Sequence, residues 1–310
     1  MKLSLLKTTL LMFATLLVTA ACSDEPANPA PGPGEDKASA EKVSAKVVYG
    51  RDDRLDLHQV DVRWKQLASA TAALIRNNRV NPRPGQMYAI KSGNFGRDYN
   101  LCENEPFRDQ GTSAFCSGFL VGPDLMVTAG HCIRSSTDCT ETAVVFGFGI
   151  HEAGQPTPEQ LPASQVYRCF SVVKTVVSPT DGVDYAVIRL DRPVRNVTPL
   201  TIRSSAGTVD VGTELAVIGH PVGLPTKVAG GAIVRTVNAG FLIASLDTYG
   251  GNSGSAVFNV STGEVEGILV RGETDFKYQG SCRVSNTCDQ NGCRGEDVTR
   301  IEHVRAALGL

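Results

Sequence analysis

The sequence lacks an excess of either charge: 30 Lys and Arg face 32 Asp and Glu, for a net charge of -2. Beyond the first few residues there is no basic run, which excludes the electrostatic footprint of a nucleic-acid-binding protein. There is no internal repeat, which sets aside solenoids and other arrays. After the N-terminus no segment reaches the ~20 consecutive apolar residues that a membrane-spanning helix needs. Charged residues at 20% and hydrophobic ones at 42% fit a globular, exported protein.

What is present begins with an export signal. Lys2 and Lys7 precede the apolar run from Leu10 to Val18, and Thr19, Ala20 and Ala21 place small residues before Cys22. This predicts a signal peptide over 1–21. The small residues before Cys22 resemble a bacterial lipoprotein processing site, where the cysteine becomes the lipidated first residue; Ser23 after it then favours the outer membrane. Thr19 stands where such sites usually carry Leu, so ordinary cleavage and secretion is the alternative. Residues 22–46 carry Pro26, Pro29, Pro31 and Pro33 among Ala, Gly and acidic residues. They bury too little apolar surface to offset their ordering entropy and read as a disordered tether or pro-segment. Cleavage after Lys46 would release Val47, and the folded domain runs over 47–310.

The nine cysteines agree with export. Setting Cys22 aside leaves Cys102, Cys116, Cys132, Cys139, Cys169, Cys282, Cys288 and Cys293, an even set suited to disulfides in an oxidising compartment. Cys282, Cys288 and Cys293, with His303 beyond them, raise a zinc site. Their spacing matches no common zinc pattern, so a disulfide-pinned loop is the preferred reading.

Most of the chain reads as β. Short runs rich in Val, Ile, Thr, Phe and Leu recur between Gly, Pro, Asn and Asp, among them 117–121, 142–146, 186–190, 214–218 and 265–270. Many short strands with regular turns predict an all-β barrel or sandwich. Two helices are expected. One covers 54–69 and carries Trp64; the other covers about 297–308, with Val298, Ile301, Val304 and Leu308 as its apolar stripe. Asp297 or Thr299 would cap the second, and with Thr299 as cap Glu302 completes a capping box.

Three segments carry the chemistry. A serine hydroxyl is a poor nucleophile near neutral pH and needs a base, which in turn needs an orienting group. His131 follows a strand–turn–strand segment and lies in a tight bend beside Cys132. Asp184 opens the strand Asp184–Leu190, after a turn in which Asp181 suits turn-capping better. Ser253 sits in Gly250-Gly251-Asn252-Ser253-Gly254-Ser255. The glycines permit a backbone on which the amides of Gly251 and Ser253 can converge as an oxyanion hole. The order His, Asp, Ser is one of the known chain orders of this constellation. The chemistry calls for no metal and no organic cofactor.

Over roughly residues 70 to 310 these segments resemble the chymotrypsin-like, or trypsin-like, serine endopeptidases. The serine turn and Val47-Val48-Tyr49-Gly50 look most like the bacterial glutamyl-endopeptidase branch. The resemblance implies an all-β fold of two antiparallel six-stranded barrels, over about 70–195 and 196–296, followed by the C-terminal helix. It places the triad His131, Asp184 and Ser253 in the cleft between them and pairs Cys116 with Cys132. Protein or peptide substrates are implied as partners, with the membrane reached only through a lipid on Cys22.

Departures qualify it. Asn252 replaces the Asp that pairs with a freed N-terminus in animal-type zymogens, so activation by that ion pair is not expected. Asp247, six residues before Ser253, suits a pocket floor for a cationic side chain, and Arg271 marks the other pocket wall, where it would neutralise Asp247 or attract an acidic side chain. Leu269 stands near the histidine that glutamyl endopeptidases use, so glutamate selection is not carried over.

Two other readings fit the sequence less well. An α/β-hydrolase elbow has Gly two residues after its serine, where this chain has Ser255, and its histidine would have to be His303. A trypsin-like domain kept as an inactive binding module normally lacks one of the three groups, and all three candidates are present.

Overall fold

The computed structural model describes residues 47–204 and 209–309. The expected signal peptide, Cys22 and the tether lie outside the described residues.

The β-rich runs form twelve barrel strands. β1 (Thr71–Arg76), β2 (Cys116–Leu120), β3 (Leu125–Thr128), β4 (Thr142–Phe146), β5 (Val166–Val177) and β6 (Asp184–Leu190) close a barrel in the order β5-β6-β3-β2-β1-β4. β7 (Glu214–Gly219), β8 (Lys227–Val237), β9 (Phe241–Ala244), β10 (Ala256–Asn259), β11 (Val265–Arg271) and β12 (Glu296–Arg300) follow in the order β7-β10-β11-β12-β9-β8. The additional β7–β8 pairing closes the second barrel. Closure removes the unpaired edges that would otherwise invite association.

Branched and aromatic side chains fill both interiors. Phe119, Leu120, Met126, Val144 and Ile188 are fully shielded in the first barrel, and Leu215, Val234, Leu242, Val257 and Leu269 in the second. Phe258, Ile268, Ile301 and Val304 join the first group, so apolar packing is continuous across the seam.

Both helices are shorter than the apolar pattern predicts. Arg54–Asp56 is instead a strand paired with Lys227–Ala229 of β8, and the helix is Val62–Ser69, capped by the Asp61 carboxylate accepting from the Trp64 N–H at 3.1 Å. The buried Asp56–Lys227 ion pair, 2.6 Å, explains why those charged residues enter the sheet. At the C-terminus, Val298 faces the second core from β12, and the helix is only Ile301–Leu308. Neither proposed cap acts as one. Asp297 takes the guanidinium groups of Arg271 and Arg294, the Thr299 hydroxyl accepts the Asp184 N–H, and Glu302 pairs with Arg203 and Arg300. The helix stops at Gly309, whose φ of +72° suits a residue without a side chain.

Four disulfides join Cys102–Cys282, Cys116–Cys132, Cys139–Cys169 and Cys288–Cys293. Cys282, Cys288 and Cys293 are therefore loop pins and have no thiolate to offer zinc. Cys116, Cys132 and His131 also have metal-ligand spacing, but their two sulfurs are bonded to each other.

Candidate active site

His131 lies on a one-turn 3-10 helix, Gly130–Cys132, directly after β3. The chain comes so close to the next strands here that a Cβ on Gly130 would overlap the carbonyl oxygens of Val176 and Tyr185. The Cys116–Cys132 bond ties the far side of the bend to the start of β2. The ring nitrogen Nδ1 of His131 lies 2.8 Å from Oδ2 of Asp184, and the His131 backbone N–H donates to Oδ1 at 3.1 Å. Asp184 is buried at the start of β6, while Asp181, in the preceding turn, accepts from the Val183 N–H at 3.1 Å. The two aspartates thus divide the work, one holding the turn and the other the imidazole.

Burial pushes the Asp184 carboxyl up, but the His131 hydrogen bonds and the charge of Arg271 more than offset it. Asp184 therefore sits below the ordinary carboxylate range and is ionised at neutral pH. An ionised carboxylate on Nδ1 selects the tautomer that leaves Nε2 free to accept a proton.

Ser253 is buried in the turn between β9 and β10, and its Oγ lies 3.5 Å from the Val270 carbonyl. Among the described residues no hydrogen bond joins it to His131. The serine turn is nevertheless docked on the histidine barrel. The Ser117 N–H donates to the Ser253 carbonyl at 2.8 Å, and the Ser117 hydroxyl donates to the Gly251 carbonyl at 2.9 Å. Gly254, at φ +89°, lies where a Cβ would overlap the Ser117 carbonyl and the Thr128 hydroxyl.

The turn's peptide planes have a defined sense. The Gly250 carbonyl accepts from the Val222 N–H at 2.5 Å, and the Asn252 carbonyl accepts from the Ser255 N–H at 2.9 Å. In a trans peptide the N–H points opposite the C=O. Anchoring those two carbonyls therefore turns the N–H groups of Gly251 and Ser253 the other way. Among the described residues neither N–H has a hydrogen-bond partner, whereas those of Gly250, Asn252, Gly254 and Ser255 do. Val222 adopts φ +47°, unusual for a β-branched residue, and Gly251 adopts φ +86°.

The two pocket candidates are engaged elsewhere. The Asp247 carboxylate, buried, accepts the N–H groups of Tyr49 (2.6 Å) and Asp53 (2.9 Å) from the segment that leads into the domain. Burial pushes it up to about 7 against those two hydrogen bonds. Arg271 pairs with Asp297 in its own barrel and crosses the seam to Gly182 and Asp184 of the other. Asp247 thus holds two backbone amides and Arg271 two carboxylates, and among the described residues no ion pair joins the two.

Sequence reasoning missed Ser117, Val222 and Thr299. Each acts through hydrogen bonds to residues more than 25 positions away, with no motif around it. His220 is fully buried, and burial pushes it down to about 4, so it stays neutral behind the serine turn.

Residues 116–268 match the family described as trypsin-like peptidase domain. A glutamyl endopeptidase of Bacillus licheniformis is 30% identical over 159 residues, 47% of this chain and 46% of that protein. A Bacillus subtilis protein named extracellular metalloprotease is 28% identical over 180 residues, 57% of this chain and 56% of that protein. The chain thus spans about half the length of these curated relatives. A solved Glu endopeptidase superposes with a TM-score of 0.50 at 17% identity, covering 85% of this chain and 100% of that one. The human heparin binding protein superposes with a TM-score of 0.51 at 16% identity, covering 85% and 95%. These two structures bear on the fold, and the sequence matches bear on descent. Residues 116–268 thus match the trypsin-like peptidase domain, and the matches together support a trypsin-like serine peptidase, similar to the glutamyl-endopeptidase branch.

Proposed function

We propose that this chain is an exported serine endopeptidase that cleaves protein or peptide substrates through an acyl-enzyme. Ser253 Oγ attacks the scissile carbonyl while its proton passes to His131 Nε2. Asp184 holds His131 through Nδ1 and stabilises the imidazolium that forms. The amides of Gly251 and Ser253 receive the oxyanion, an electrostatic contribution usually among the largest in acyl transfer. His131 then gives its proton to the leaving amine, and water repeats the sequence on the ester to release the acid and restore Ser253.

The observation that carries this reading is the 2.8 Å contact between His131 Nδ1 and Asp184 Oδ2, with the serine turn docked beside it. Catalytic contacts are often loose before substrate binds, so the Ser253 rotamer on Val270 does not oppose it. Four disulfides and relatives named as extracellular or venom proteins are consistent with export. We extend this to a bacterial surface lipoprotein held through Cys22, with secretion as the alternative.

The test is covalent labelling of the folded protein by a fluorophosphonate probe, followed by peptide-library profiling. Labelling of the parent and none of Ser253→Ala is expected. A folded parent that takes no label and cuts no peptide would instead be a binding module of the same fold.

A further inference from the structure

We propose that Arg271 is a positioning residue for the reaction: shared by Asp297, Gly182 and Asp184, it staples the two barrels at the triad. This rests on the reading of His131, Asp184 and Ser253 as a triad. Arg271 ends β11, opposite Asp297 on β12. Its Nε donates to Asp297 Oδ2 at 3.1 Å, within the second barrel. Its Nη2 donates to the Gly182 carbonyl at 2.8 Å, in the turn before β6 of the first barrel. Its Nη1 lies 3.7 Å from Asp184 Oδ2, the same oxygen that meets His131 Nδ1. One guanidinium fork therefore fixes the distance between the strand carrying Asp184 and the sheet that leads to Ser253. A lysine, with a single point of charge, reaches fewer of these partners at once.

The electrostatic consequence has a definite sign. Asp184 alone would favour the imidazolium. A cation beside the same oxygen offsets part of that attraction, so loss of the Arg271 charge would strengthen the pull of Asp184 on the imidazolium. The charged neighbours are few. His131 and Arg271 face Asp184; Asp184 and Asp297 face Arg271; Arg294 pairs with the same Asp297 oxygen, Oδ2, at 2.5 Å, and Glu273 and Glu296 lie near Arg294. Asp181 in the adjoining turn is exposed, with His303 near it. The Phe241 ring, 5.9 Å from the guanidinium carbon, covers one face. Removing Arg271 takes away the guanidinium that sits against the Asp184 oxygen beside the imidazole.

The experiment follows the rate of fluorophosphonate labelling of the full chain against pH, for the parent, Arg271→Gln and Arg271→Lys, with a ring-proton NMR titration of His131 alongside. The acid limb and the ring titration are expected to move up by about half a pH unit in Arg271→Gln at low salt, and by less at high salt, where the partly exposed guanidinium is screened. Arg271→Lys keeps the charge and leaves the limb in place while slowing the plateau. Coincident limbs in parent and folded Arg271→Gln, or an equal shift in Arg271→Lys, overturn the proposal. If Arg271→Gln does not fold, Arg271→Met, which keeps the aliphatic packing, takes its place with the same expected shift. A parent that is never labelled overturns the triad reading instead, and the His131 titration then decides the Arg271 coupling by itself.

Discussion

The hydroxyl of Ser117, on a strand of the first barrel, donates to the carbonyl of Gly251 in the second at 2.9 Å and accepts the His220 N–H at 2.9 Å. Ser117 also receives the serine turn through its own N–H. The side chain thus joins the strand before the His131 bend, the loop behind the turn, and the turn itself. Ser117→Ala leaves a buried N–H without a partner and frees one carbonyl, so a loss of about 1–3 kcal/mol in stability is expected. The labelling rate should fall about tenfold or more as the Gly251 peptide loosens. Thermal unfolding and fluorophosphonate kinetics on the same preparation check both, and an unchanged labelling rate would remove Ser117 from the positioning network.

Asp184→Asn tests the orienting carboxylate. The Thr299 contact to the Asp184 backbone N–H is retained, so the strand start survives. An amide at that place can donate to Nδ1 and so favour the wrong tautomer. By analogy with the general triad, labelling and peptidase rates are expected to drop by about 10^4 near neutral pH. A variant within tenfold of the parent would show that Asp184 does not orient the base.

Asp247 gives a pH dependence of opposite sign to that of Asp184. Its folded-state pKa, pushed up to about 7 by burial, lies above the unfolded value, so the folded state holds a proton that the unfolded state releases near pH 4. Stability from this group is full below the unfolded pKa and falls as pH rises toward 7, by at most roughly 1.4 kcal/mol per pH unit. Asp184, held low, behaves the other way. Its contribution is present above the unfolded pKa and is lost as pH falls through the lower folded value. Denaturant unfolding between pH 5 and 8 should show a decline in the parent that Asp247→Asn largely removes. Parallel curves for the two would refute the assignment.

The Cys116–Cys132 bond closes a loop of 16 residues that contains the strand pair leading to His131. Replacing both cysteines by serine is expected to lower stability by about 3 kcal/mol on the chain-entropy account. The labelling rate at low temperature should fall as well, because the bend carrying His131 loses one of its two anchors. A variant with lowered stability but full labelling would restrict the bond to the fold.

Where chemistry depends on residues close in the chain, the sequence was already informative. β-branched runs and their punctuation identified the strands, because a strand's pattern is local. Gly250 to Ser255 and the bend at His131 are recognisable because a backbone that turns this sharply needs glycine at particular places. The even cysteine set and the absence of a zinc pattern pointed to disulfides for the same local reason.

Only the tertiary structure decided what distant partners claim. Arg54–Asp56 has a helix-like pattern in isolation, but pairing with β8 and the Asp56–Lys227 contact make it a strand. Val298 fits a helical stripe and a strand face equally well, and the second core took it for β12. Asp247 and Arg271 stand at positions that suggest a specificity pocket, yet a buried carboxylate takes the nearest amide donors and a guanidinium takes the nearest carboxylates. Spacing along the chain determined which residues could act in this protein; long-range pairing, blind to spacing, decided which of them met.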